Sequence, residues 1–95
     1  MAVYVDDMRR FAVVNGMPRR WSHLVADDGA ELRSFARRLG LSLSWIQEEG
    51  TEWEHFDVTD RMRLRAIELG AQEVRYVDLP ELASPGREAR PASAQ

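Results

Sequence analysis

The chain has neither cysteine nor lysine. Without cysteine there is no disulfide, no thiolate nucleophile and no cysteine-ligated zinc, so any metal ion has to be held by His, Asp or Glu. Without lysine, all 13 basic residues are arginine, in a chain whose net charge is −3. That pattern reads as codon usage in a GC-rich genome rather than as a phosphate-binding surface, and it argues against nucleic acid as a partner. No apolar run approaches the roughly 20 residues that a membrane-spanning helix needs. The opening Met1-Ala2-Val3-Tyr4-Val5 meets Asp6-Asp7 too early for a secretory signal, so a cytoplasmic protein is expected. Also missing are a Gly-rich phosphate loop, a Gly-x-Ser-x-Gly elbow and a His-Glu-x-x-His helix. Ser22 and Ser44 have no identifiable base partner.

What is present is an ordinary globular composition, 44% hydrophobic and 31% charged over 95 residues, enough for one core and one site. Residues 1–79 read as a single domain. From Pro80 onward, with Pro85, Gly86 and Pro91 among Ala and Ser, a flexible tail is expected over 80–95.

Residues 3–5 are β-branched and aromatic and stop at Asp6, which predicts a short strand. Residues 11–14 followed by Asn15-Gly16 read either as a hairpin arm with a tight turn or as a loop that docks its apolar tip. From Trp21 to Asp27 both alternating sets are largely apolar, which predicts a strand buried on two faces. Asp28 stands three residues before Glu31, a capping-box spacing. Leu32, Phe35, Ala36 and Leu39 then line one face of a helix that Gly40 is placed to end. Residues 41–45 predict a short extended piece or turn, and residues 48–52 an acidic loop. Residues 53–58 form a third expected strand, followed by a helix capped by Thr59 or Asp60, running through Leu69 and closed by Gly70. Residues 74–77 are a fourth.

Laid over each other, residues 21–35 and 53–67 share Trp21/Trp53, His23/His55, Asp28/Asp60, Leu32/Leu64 and Arg33/Arg65. The match is read as one strand-to-helix unit used twice. Strand, helix, strand, helix, strand makes the last three strands parallel neighbours. The expected fold class is therefore α/β, a small mostly parallel sheet of about four strands with two packed helices.

If the two tryptophan-led strands are adjacent, His23 and His55 share a face roughly 5 Å apart, with Asp57 on the same side. Two imidazoles and a carboxylate suit Zn²⁺ or Fe²⁺; the plainer reading is a pair of packed, hydrogen-bonded histidines. Acids at the carboxyl ends of parallel strands form a second candidate site, with Asp6 and Asp27 beside Asp57 holding Mg²⁺ and a phosphate. Asp28 and Asp60 are explained by capping alone. Arg20, paired with Arg19 before Trp21, is either a phosphate contact beside an aromatic platform or part of a solvated loop. Trp45 and residues 11–14 are the candidate apolar patch for a partner or a second copy.

Taken together, Val3-Tyr4-Val5-Asp6, Trp21-Ser22-His23-Leu24 with Ala26-Asp27, Phe35-Ala36 with Leu39-Gly40, His55-Phe56-Asp57-Val58 and Leu69-Gly70-Ala71 resemble the bacterial and bacteriophage domain-of-unknown-function family numbered four thousand and thirty-one. The likeness covers about residues 1–77. It implies that His23, Asp27, His55 and Asp57 belong to a shared pattern, and that a small phage-type accessory protein binding a host partner is a natural role. Two functions are thus expected. The first is a binding or accessory module without enzymatic activity or cofactor, contacting a protein partner or its own copy. The alternative is a small divalent-metal-dependent enzyme acting on a phosphate-containing substrate.

Overall fold

A computed structural model describes residues 2–79. Strand β1 (Val3–Val5) lies beside the carboxyl half of the long strand β3 (Met17–Ala26), antiparallel, with Val5 opposite Leu24 and Val3 opposite Ala26. Strand β2 (Arg10–Val14) pairs with the other half of β3, from Arg10 opposite Trp21 to Val14 opposite Met17. Of the two readings of residues 11–14, the hairpin is therefore the one observed. Asn15 and Gly16 both have positive φ, 52° and 78°, the tight mirror-image turn whose twist matches that of the arms.

Helix α1 (Gly29–Leu39) begins where the spacing predicts. Asp28 accepts a hydrogen bond from the Glu31 backbone N–H at 2.8 Å, and Gly40 closes the helix at φ 95°. Strand β4 (Phe56–Thr59) then pairs with the free edge of β3, and it too runs antiparallel, with Trp21 opposite Thr59 and His23 opposite Asp57. Thr59 caps helix α2 (Asp60–Glu68) through a bond from the Met62 N–H. The short strand β5 (Gln72–Glu73) joins β1, the one parallel pairing among the described residues.

The sheet is therefore mixed and chiefly antiparallel, which corrects the expected parallel arrangement. The reason lies in residues 40–55. Helix α1 carries the chain back across the sheet, as in a parallel crossover, but the following stretch crosses once more. Gln47 makes an antiparallel bridge with His55, so β4 sets out in the opposite direction. Strand β4 also starts later than expected, at Phe56, because residues 48–54 fold into turns. The expected strand over 74–77 is absent as well. The Tyr76 N–H donates to the Asp7 carboxylate at 2.8 Å, and Tyr76–Asp78 coils into a 3₁₀ turn. The proposed tail lies outside the described residues.

Both helices cover one face of the sheet, where Val3, Val5, Leu24, Ala26, Phe56 and Val58 meet Leu32, Phe35, Ala36, Leu39 and Ala66. The opposite face carries Tyr4 and Val25, covered by Val74 and Leu79, and next to them the two histidines.

Candidate functional site

Side chains alternate across a strand whichever way its neighbour runs. His23 and Asp57 sit directly opposite each other, and His55, two residues before Asp57, returns to the same face. The imidazole centroids are 5.0 Å apart, edge to face. One atom each from His23, His55 and Asp57 can be chosen so that all three lie within 4.8 Å of one another.

Each of the three side chains is held by an atom that a ligand would not use. The His23 Nδ1–H donates to Asp6 Oδ2 at 2.7 Å. Asp6 is fully buried, and its other oxygen accepts the His23 backbone N–H at 2.9 Å and the Met8 N–H at 3.2 Å. Strands β1 and β2 pair with successive parts of one edge of β3, residues 6–9 interrupt that pairing between them, and the Asp6 carboxylate takes the His23 N–H in place of a main-chain carbonyl. His55 Nδ1 lies 2.6 Å from the Trp53 carbonyl, which can only accept, so this nitrogen carries the proton. Gln47 donates to Asp57 Oδ2 at 3.4 Å.

What remains free is His23 Nε2, His55 Nε2 and Asp57 Oδ1, with the two nitrogens 4.0 and 3.5 Å from that oxygen. Both separations are long for a hydrogen bond. They are close to the edge of a coordination polyhedron, about 3.3 Å for four ligands at the usual zinc distances. A carboxylate or carbonyl on the remote ring nitrogen is also the usual second partner of a metal-bound histidine. Burial lowers the basicity of His55, but the Asp57 carboxylate and the Trp53 carbonyl outweigh it and leave its pKa raised.

Two clefts flank the trio. One, of about 350 Å³, is lined by His23 and His55 together with Val25, Trp53, Tyr76 and Val77. The other, of about 250 Å³, is lined by His23 and Asp57 together with Met8, Arg10, Phe11 and Trp21.

The remaining sequence candidates do not converge here. Asp27 lies at the far end of β1, where it accepts the Ala2 N–H at 2.9 Å. Asp6 and Asp27 are thus held at opposite ends of one strand, so the expected acidic cluster does not form; antiparallel pairing separates strand ends that a parallel sheet would gather. Trp21 is buried, and its indole N–H donates to the Ala12 carbonyl, which makes it part of the packing rather than an open platform. Arg20 projects from the other face of β3 and reaches the Arg9 carbonyl.

The family described as "Protein of unknown function (DUF4031)" matches residues 3–84. The chain belongs to that family. No curated protein and no solved structure matched the chain. DUF4031 membership spans every element named above and assigns no chemistry, so the site rests on its geometry.

Sequence reasoning missed three residues that shape this DUF4031 site. Arg63, buried on α2, donates from Nε to the Asp6 carbonyl at 2.7 Å and braces the loop that carries Asp6. Tyr76 stacks on the His23 ring. Asp7 anchors Tyr76. The one available signal was spacing: Arg63 stands three and four residues before Ala66 and Ile67, which puts an arginine on the apolar face of the helix.

Proposed function

We propose that the chain is a small divalent-metal-dependent enzyme acting on a phosphate-containing substrate, with His23, His55 and Asp57 as the metal ligands. One observation carries this reading. Both Nδ1 atoms are already committed to Asp6 and to the Trp53 carbonyl, which leaves the two Nε2 atoms as the ring nitrogens open to a ligand, 4.0 and 3.5 Å from a single Asp57 oxygen. Three protein ligands leave a coordination position open, as catalytic zinc sites do. An ion there would lower the pKa of a bound water and polarise a phosphoryl oxygen. The chain's own part is to hold the imidazoles in one tautomer and to shape the clefts beside them.

The test is to strip the purified chain with chelator and titrate it with Zn²⁺ and Mn²⁺ by calorimetry. One ion per chain and a raised melting temperature are expected, both lost in His55→Ala. If neither ion binds or shifts the melt, the proposal fails.

A second reading is favoured by the β2–β3 hairpin, where Phe11 is 61% and Val13 66% exposed. Both lie on the helix-bearing face of the sheet but beyond the helices, an arrangement that suits self-association or a protein partner. Sedimentation of the chain beside Phe11→Ser tests it; a concentration-independent monomer in both counts against it.

A further inference from the structure

Arg10 is the side chain at the site that nothing yet explains. It pairs in register with Trp21, so its side chain emerges on the face that carries His23, and it lines the smaller cleft with His23 and Asp57. The neighbouring arginines are occupied. Arg9 forms a bidentate pair with Asp60, Arg20 reaches the Arg9 carbonyl, and Arg63 holds the Asp6 carbonyl and Glu73. The Arg10 side chain makes no hydrogen bond or ion pair with any described residue. On the other side of the trio, Trp53 and Tyr76 are 48% and 44% exposed while lining the larger, apolar cleft. The Tyr76 ring is held nearly parallel to the His23 imidazole, 26° between planes with centroids 5.5 Å apart.

We infer that the ligand of this centre is the phosphate ester of a flat, apolar alcohol, with its phosphate shared between the metal ion and Arg10 and its flat group lying against Trp53 and Tyr76. The inference rests on the metal reading above. A divalent ion offsets Asp6 and Asp57, and Arg10, which lines the smaller cleft while Glu52 lines the larger one, offers its guanidinium to an anion on that side of the trio. A tetrahedral phosphate offers enough oxygens to engage an ion and a guanidinium fork at once. An aromatic-lined cleft on the other side favours a planar apolar substituent. In the hydrolysis a water-derived hydroxide would join phosphorus as the bond from phosphorus to the ester oxygen breaks, and an ion held by His23, His55 and Asp57 would supply that hydroxide at neutral pH. The electron pair stays on the departing oxygen, which takes up a proton equivalent to the one the water released, so one ester and one water give one alcohol and one phosphate.

The experiment uses the full chain loaded with Zn²⁺ and calorimetric titration with phenyl phosphate, inorganic phosphate and benzoate, with phosphate release followed in parallel. Phenyl phosphate should bind more tightly than either of the others and only when Zn²⁺ is present. Arg10→Ala should weaken phenyl and inorganic phosphate alike by about tenfold or more while leaving Zn²⁺ affinity unchanged. Trp53→Ala should weaken phenyl phosphate alone. Normal Zn²⁺ binding with phenyl phosphate indifferent to Arg10→Ala, or with benzoate bound equally well, overturns this inference and leaves the metal centre standing. Failure to bind Zn²⁺ at all overturns the metal reading beneath it.

Discussion

The two faces of this sheet are made by the same strands and are held by different forces. On one face, Val3, Val5, Leu24, Ala26, Phe56 and Val58 are all at most 7% exposed under α1 and α2. On the other, His23, His55 and Asp57 keep partial access to solvent and are positioned by hydrogen bonds to Asp6, Trp53 and Gln47. Apolar contacts are individually weak and non-directional, so the first face is stable against small changes of angle and sensitive to lost volume. The second has the opposite vulnerability. Its side chains can be shortened with little loss of packing, but a buried donor left without its acceptor is costly. A scaffold of this kind keeps the core and the proposed ligand chemistry on separate residues of one strand, alternating every second position.

The largest expected effect is on the helix-bearing face. Phe56 is fully buried at the junction of β3, β4 and the helices, and Phe56→Ala should cost about 3–5 kcal/mol by lost transfer energy and the cavity left behind. Urea denaturation measures it. A loss below about 1 kcal/mol would mean that the two faces do not divide the labour as described.

The next effect crosses from one face to the other. Asp6 receives two backbone N–H groups and the His23 Nδ1–H, so Asp6→Ala should cost about 2–3 kcal/mol by stranding them. Asp6→Asn separates stability from chemistry. Its amide oxygen can still accept the backbone donors, but its NH₂ group faces His23 Nδ1 and favours the other tautomer, which puts a proton on Nε2. The melt should fall less than in the alanine variant, while Zn²⁺ affinity should drop about 10- to 100-fold, the usual scale for a partner that orients a metal-bound histidine. Equal Zn²⁺ affinity in the Asn variant and the parent would show that the Asp6 bond to His23 does not set the site.

Much of the fold was legible in the residues themselves. The Asp28 cap, the Leu32, Phe35, Ala36, Leu39 stripe and the Gly40 stop set α1 as observed, because caps and periodicity are local. The shared face of His23 and His55 was legible for a related reason: alternation depends on spacing within a strand and is unaffected by the direction of its neighbour. Strand direction was not legible. It was decided by the extra crossing through Gln47, whose bridge to His55 is a pairing between distant residues, and a serine-spaced run with no turn signature announces no such crossing. From the sequence Asp6 reads only as one acid among strand ends. Its actual place, filling a gap in the ladder beside His23, depends on an offset between β1 and β2 that appears only once both pair with β3. Arg63 shows the same limit, since a charged residue is buried only where partners from elsewhere in the chain, here the Asp6 carbonyl and Glu73, await it.

The smallest predicted effect concerns an exception on the helix-bearing side. Glu31, in the first turn of α1, has a buried Oε1 without a hydrogen-bond partner among the described residues. Burial, reinforced by the charges of Asp28 and Asp27, raises its pKa above the ordinary glutamate value. A carboxyl whose folded-state pKa is raised stabilises the fold below its unfolded pKa, where it is protonated in both states, and that stability is lost as pH rises through the folded value. At neutral pH the chain therefore carries the full penalty, and Glu31→Gln should remove it. The gain should be about 0.5 kcal/mol or less, visible as a small rise in melting temperature at pH 7 that shrinks as pH falls through the glutamate range and vanishes near pH 3. A gain that stays constant down to that pH would mean that shape or propensity, rather than the buried charge, separates the two side chains.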